Sequence, residues 1–312
     1  MKRSSLPGPL GLIATAWKFC RKHPVLIHVF VWLFVVLPIA IDASATAAVS
    51  LLPQETDGAV LWPPTGPVYA VIFLAIAAIL VSSWADACVL LVGRRMTVNA
   101  AGRARTSFLL LMRQARGPGL RLIGANIIRS CTIILLQVPL IIYTFLVLWR
   151  LDLLPTKIPT DVDPRLIMTH FFQSIFARAG TLPLIVILLT TAILCIPSIV
   201  YAIRTSLYAP ALFQGKRSIR EALRRSSVVV QTHIWHVIGS LCVLMFTFLL
   251  VPAMIMGIIA DIAGPTPLPE IDFALNLLGT ALMGFCWIML LLCLSALFGA
   301  LSKGRPTAVE ME

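Results

Sequence analysis

The chain has 312 residues, 59% of them hydrophobic and 12% charged, with a mean hydropathy of +0.95. Soluble domains carry about 25% charged residues, so this composition excludes one and describes an integral membrane protein. The net charge of +12 does not point to nucleic acid, because the basic residues lie between apolar runs and form no separate basic domain. Anionic lipid headgroups are the expected counter-charge.

Residues 1–23 form a basic N-terminal segment with Lys2, Arg3, Lys18, Arg21 and Lys22 and no acid. The apolar run from Val25, with Pro38 and Asp42 inside it, ends in small residues through Ala43-Ser44-Ala45 to Leu52. A basic start, an apolar centre and Ala-Ser-Ala would suit a cleavable signal peptide. The length favours an uncleaved first helix, since it suffices to span about 30 Å. A second span follows the acidic loop with Glu55 and Asp57, over about 67–92. From Gly93 to Arg121 there are seven arginines and no acid. Within that segment Ala104, Phe108, Leu111, Met112 and Ala115 form an apolar stripe opposite Arg105, Arg113 and Arg116, which predicts an amphipathic surface helix. The third span is expected over 122–149, with Pro139 inside.

Asp163-Pro164 is a strong helix start and Gly180 a stop. Between them Ile167, Met168, Phe171, Phe172, Ile175 and Phe176 lie opposite Arg165, Thr169, Gln173 and Arg178, which predicts another surface helix. The fourth span is placed at 182–203, the fifth at 234–260 and the sixth at 271–301, with a tail over 302–312. Between the fourth and fifth lies a basic amphipathic helix. Ile219, Ala222, Leu223, Ser226 and Val230 share one face, and Arg217, Arg220, Glu221, Arg224 and Arg225 the other. Glu221 stands four residues from Arg217 and from Arg225, where helix side chains pair. Such helices lie flat on an anionic membrane surface, which makes Arg105, Arg113, Arg116, Arg217, Arg220, Arg224 and Arg225 candidate lipid-headgroup contacts.

The predicted inner segments hold 20 basic and 3 acidic residues, the outer ones 4 basic and 8 acidic. Because the bias of Lys and Arg in short loops sets orientation, both termini are expected in the cytoplasm. The fold class is therefore all-α: one polytopic domain over 24–301 with six transmembrane helices and amphipathic surface helices. A possible parallel internal repeat relates the hairpin around Gly102-Arg103 to the one around Gly215-Lys216. In the repeat Leu120-Arg-Leu-Ile-Gly124 answers Ile234-Trp-His-Val-Ile-Gly239, and Pro139 answers Pro252. Any two membrane hairpins share part of this plan, so duplication and coincidence both stay open.

Arg204 to Pro210, Gly215, Glu221-Ala222-Leu223-Arg224-Arg225-Ser226 and Trp235 to Gly239 resemble the membrane domain attached to some bacterial glycerophosphodiester phosphodiesterases. They resemble equally the stand-alone, uncharacterised six-span inner-membrane proteins related to it. The shared pattern is an arginine and proline after a span, a glycine, an Ala-Leu-x-x-Ser surface helix and an aromatic opening the next span. The resemblance implies a six-span plan in a bacterial cytoplasmic membrane. It implies no phosphodiesterase activity here, because a catalytic barrel needs about 250 residues and no soluble stretch could hold one.

Asp86 and Arg129 are the candidate intramembrane ion pair, since charges within a bilayer are costly and are usually paired or functional. The bland reading is a structural pair, or an Arg129 that snorkels to the phosphates. The functional one is a polar cluster contacting a substrate or headgroup. His233 and His236 share a helix face but lack the Cys, Asp or Glu that a metal site needs. Asp42, Asp261 and Asp272 stand at the outer boundary, where hydrated carboxylates mean little. The seven cysteines, odd in number and without paired spacing, read as small apolar residues. There is no Gly-x-Ser-x-Gly elbow, His-Glu-x-x-His, phosphate loop or Cys-x2-Cys. No cofactor, metal or catalytic residue is expected. The leading expectation is a non-enzymatic scaffold or accessory subunit that meets anionic lipid, a membrane-protein partner or a second copy of itself. The alternative is a small-molecule or lipid transporter. A water-filled or lipid-sized cavity between the two repeats, lined by Asp86 and Arg129, favours the transporter; a solid bundle with an exposed apolar flank favours partner binding.

Overall fold

An apolar run of about twenty residues can cross a bilayer only as a helix, because no water is present there to satisfy the backbone. Among the described residues six helices meet that condition: Val25–Ala47, Ile72–Arg95, Phe108–Val147, Ile185–Phe213, Ile234–Ile262 and Phe273–Ser302. The structure, a computed structural model, describes residues 6–50, 66–97, 107–150, 181–213, 218–264 and 269–302. Every element in them is helical, and no strand occurs among the described residues, which makes this an all-α polytopic membrane protein.

In chain order the elements are α1 (Pro9–Lys22), α2 (Val25–Val29), a π-helical turn (Phe30–Val36), α3 (Leu37–Ser50), α4 (Gly66–Thr97) and α5 (Phe108–Arg150). Then come α6 (Thr181–Arg204), α7 (Tyr208–Phe213), α8 (Ile219–Thr232), α9 (Ile234–Met245), a second π-helical turn (Phe246–Leu250), α10 (Val251–Ala263) and α11 (Pro269–Ser302). The chain divides into two compact units, Met1–Ala125 with Thr205–Glu312, and Asn126–Arg204.

In the first unit α11 is the central helix. Most of its apolar stretch is buried, and Ile288, Leu290, Leu292, Leu297 and Phe298 are enclosed almost completely. It packs on α1, α4 and both π-helical turns. Two glycines permit the closest approaches. A Cβ at Gly93 would come within 3.0 Å of the Ser295 hydroxyl, and one at Gly284 within 2.9 Å of the Phe34 Cβ. Small residues at helix crossings of this kind let backbones meet where the bilayer supplies no hydrophobic drive. Trp17 and Phe30 each meet Phe285 edge to face, with ring centroids 6.1 and 6.4 Å apart.

Both π-helical turns end two residues before a proline, Pro38 and Pro252. Proline has no N–H to give and its ring crowds the carbonyl four residues back. A π turn widens the helix at that carbonyl, which is Phe34 in one case and Phe248 in the other. Gly264, at φ 86°, ends α10 by giving its N–H to the Asp261 carbonyl, a conformation that glycine adopts without penalty.

The expected surface helix and third span differ from what is found. Phe108 to Arg150 is one helix of 43 residues, running through Gly117-Pro118-Gly119. The predicted stripe continues across the proline: Leu111, Ala115, Leu122 and Ala125 are all buried. Gly119 rests against Trp84 and Ala87 of α4, and the Trp84 indole donates to the Met112 carbonyl at 3.0 Å. Contact with α4 holds both sides of the proline in line, so the stripe faces protein. Sequence periodicity cannot tell such a face from one that meets lipid. In the second unit Arg129 donates to the Ala202 carbonyl at 3.4 Å, joining α5 to α6.

The basic helix predicted around Ile219 is present as α8. Ser218 caps it by accepting from the Glu221 N–H, and Ala222, Ser226, Val229 and Val230 are buried. Its apolar face folds back on α7, a short buried helix that the sequence does not announce. Ser226 accepts the N–H of Leu207 at 3.1 Å, and both residues are fully enclosed. Ser226→Ala should therefore cost about 1–3 kcal/mol by orphaning a buried donor. Thermal unfolding in detergent checks this, and an unchanged midpoint would mean that Leu207 finds another acceptor. The amphipathic helix expected over residues 163–180 lies outside the described residues.

Candidate functional site

The polar groups that stand out in the first unit are those placed by α4 and α11 within the membrane-spanning length. Asp86 lies 14 residues from Ile72 and 9 from Arg95, the ends of its span, and Trp287 stands at the middle of the span from Phe273 to Ser302. The Trp287 indole N–H donates to the Asp86 carboxylate at 2.8 Å. A carboxylate offers about four acceptor positions, and this bond uses one. The pair opens on a cleft of about 660 Å³ whose wall includes Phe34, Met256, Asn276, Thr280 and Gly284. A second cavity of about 440 Å³ lies beside it, sharing Phe34 and Ser82 and reaching Asp42.

Eleven residues from Trp287, roughly 16 Å along α11, Asn276 donates to Asp42 at 3.4 Å and accepts from Thr280 at 3.3 Å. Asp42, which by position alone resembles an uninformative boundary carboxylate, thus belongs to a polar cluster joining α3 to α11. Trp287 and Gly284 lack any sequence signal, because an aromatic and a glycine inside an apolar run look like ordinary packing residues. Asn276 and Thr280 had one: two polar residues four apart on one face of a span. Arg129 belongs to the second unit, so Asp86 and Arg129 each have a hydrogen-bonded partner inside their own unit.

Near the ends of α4 and α11, basic side chains meet other elements: Arg95 acts on His23 at the end of α1. Arg225 of α8 sits over the Phe298 ring, 5.7 Å from its centroid, a cation–π distance. Arg220 and Arg224 on the same helix are exposed, as are Arg113, Arg116 and Arg121 on α5. Arg105 and Arg217 lie outside the described residues. Cys20, on α1, is pushed above its ordinary pKa by burial. His23 closes α1 with its ring 4.3 Å from that of Phe19. Its pKa is held below the usual 6.5 by burial and by the charges of Arg95 and Lys22. The unfolded chain therefore takes up a proton on His23 before the folded one does. Stability present above pH 6.5 is lost as the pH falls through the lowered value. His23→Gln should flatten the acid limb of a stability-against-pH curve, measured by thermal unfolding between pH 7.5 and about 5.

His233 ends α8 and opens α9, so it stands at a break between helices, with His236 one turn into α9. Among the described residues no group of His, Cys, Asp and Glu could hold a metal. The cysteines are all free thiols, with Cys88, Cys286 and Cys293 buried in the spans. Compared with protein-family models, with curated proteins and with solved structures, the chain matches none.

Proposed function

We propose that the protein is a non-catalytic membrane protein of the transporter class, which takes a lipid or small amphiphile into the cleft beside Asp86. The supporting observation is a hydrogen-bonded carboxylate at mid-span on the wall of an open cleft of about 660 Å³. An ionisable group at that depth is costly and is read by default as part of a functional site, and the volume lies within the range of small-molecule sites. The site lies in a bacterial cytoplasmic membrane with both termini inside, the orientation that the arginine-rich connections favour. Kinship with the membrane domain of glycerophosphodiester phosphodiesterases, carried by residues 204–240, belongs to the same proposal.

The test is purification in polymer-bounded native membrane discs followed by mass spectrometry of small molecules. Retention of one species in excess of its share of bulk lipid, reduced several-fold in Asp86→Asn, is the expected result. Composition equal to bulk lipid in both proteins would end the proposal.

A second reading is favoured by the exposed arginines of the first unit: a scaffold whose Arg113, Arg116, Arg220 and Arg224 hold anionic headgroups. It gains support from α5 and α6, where Ile134, Leu135, Ile141, Ile142, Ile185 and Leu189 are exposed, leaving broad faces for a partner or a second copy. Replacing Arg220 and Arg224 with glutamine together should then lower retention of phosphatidylglycerol and leave the Asp86-dependent species unchanged.

A further inference from the structure

Among the described residues, the cleft on α11 and the adjoining cavity between the first span and α4 are lined by two charged side chains, and both are acids. Asp86 opens on the larger cavity and Asp42 on the smaller, and among the described residues no lysine, arginine or histidine lines either. Each carboxylate is met by a neutral donor: the Trp287 indole at 2.8 Å and the Asn276 amide at 3.4 Å. Neutral donors satisfy acceptor positions but leave the charge. Two such charges at different depths of one apolar wall attract a positive group and repel a negative one. Apart from the neutral polar Ser82, Asn276 and Thr280, the described lining is apolar, with Phe34 shared by both cavities and Trp287 beside the deeper acid. Aromatic rings near a carboxylate suit a desolvated cation, which gains from their faces as well as from the charge. Met256 and Met283 supply soft, adaptable wall.

Resting on the cleft reading above, we infer that the ligand is a lipophilic organic cation. Its apolar body fills the space around Phe34 and its positive centre is held by Asp86, with Asp42 as the shallower stop on the way in. A neutral lipid would use the apolar wall and leave both acids without purpose. An anionic one would meet them as repulsion.

The experiment uses two probes of nearly the same shape and opposite charge, tetraphenylphosphonium and tetraphenylborate. The full chain is placed in nanodiscs of phosphatidylcholine, so that no net lipid charge biases either probe, and binding is measured by equilibrium dialysis against empty discs. The expected result is saturable binding of the cation at one site per chain, with the anion no better than in empty discs. Asp86→Asn should weaken the cation by about tenfold or more, the scale of a lost contact to a buried charge. Asp86→Glu should restore most of that affinity, and Asp42→Asn should give a smaller loss. Should Asp86→Asn fail to fold, Asp42→Asn and the comparison of the two oppositely charged probes on the unmodified chain still read the charge dependence.

Equal affinity for both probes, or an unchanged cation affinity in the neutral variants, would overturn the charge assignment while leaving a ligand cleft in place. Saturable binding of neither probe would also overturn it, and the cleft reading would then be decided by the co-purification result alone.

Discussion

Replacing Gly284 with leucine is expected to abolish the folded, monodisperse protein, and alanine to destabilise it by about 1–3 kcal/mol, the cost of overpacking a tight contact. The physical reason lies on the opposite helix. Pro38 cannot donate to the Phe34 carbonyl and its ring crowds it, so the first span widens into a π turn at that point. A Cβ on Gly284 would stand 2.9 Å from the Phe34 Cβ and 3.2 Å from the Phe34 carbonyl oxygen. One of those neighbours is backbone, so neither α11 nor the first span can yield by a side-chain rotation. Pro38→Ala restores an N–H and removes the ring. If the π turn sets the contact, that change should recover part of the loss in a Gly284→Ala background. Simple additivity of the two changes in thermal unfolding would show that proline and glycine act independently.

Trp287→Phe is expected to destabilise by about 1.5–3 kcal/mol, the range for a hydrogen bond to a charged group, although most of the ring surface remains. The Trp287 indole is the side-chain donor to the Asp86 carboxylate, so its removal leaves that acceptor without its protein partner. The loss should shrink in an Asp86→Leu background, because the acceptor has gone. A double-mutant cycle in one detergent measures the coupling directly, and a coupling near zero would mean that the indole contributes only packing. The same variant keeps the negative charge in the cleft. It should therefore retain the preference for a cation over an anion even while the protein unfolds at lower temperature.

Much of the fold could be read in the chain because a bilayer imposes strong local rules. Twenty apolar residues must be helical, so four of the spans lie within about five residues of their expected bounds, while the third begins earlier, at Phe108, and the fourth runs on to Phe213. The basic helix α8 was legible for the same reason: its apolar and basic faces follow from spacing within one segment. Expectation and structure part where a decision depends on a distant element. Gly117-Pro118-Gly119 looks like a break, yet contact with Trp84 and Ala87 carries α5 straight through it. The repeat is affected too, since α5 is continuous where α8 and α9 part at His233. Ser226 resembled a small residue on an apolar face until α7 was seen to offer it the Leu207 N–H.

Composition and periodicity alone determined that this is a six-helix membrane protein, that its basic residues gather in a few connections, and that Asp86 is out of place in apolar surroundings. Those are properties of single segments in a given solvent, and they need no knowledge of neighbours. Only the tertiary structure decided what Asp86 touches. Trp287, Asn276 and Gly284 lie roughly 200 residues away from Asp86 along the chain, and within α11 they are indistinguishable from packing until the helices meet. A cleft is the space that several helices leave between them, so no one of their sequences contains it.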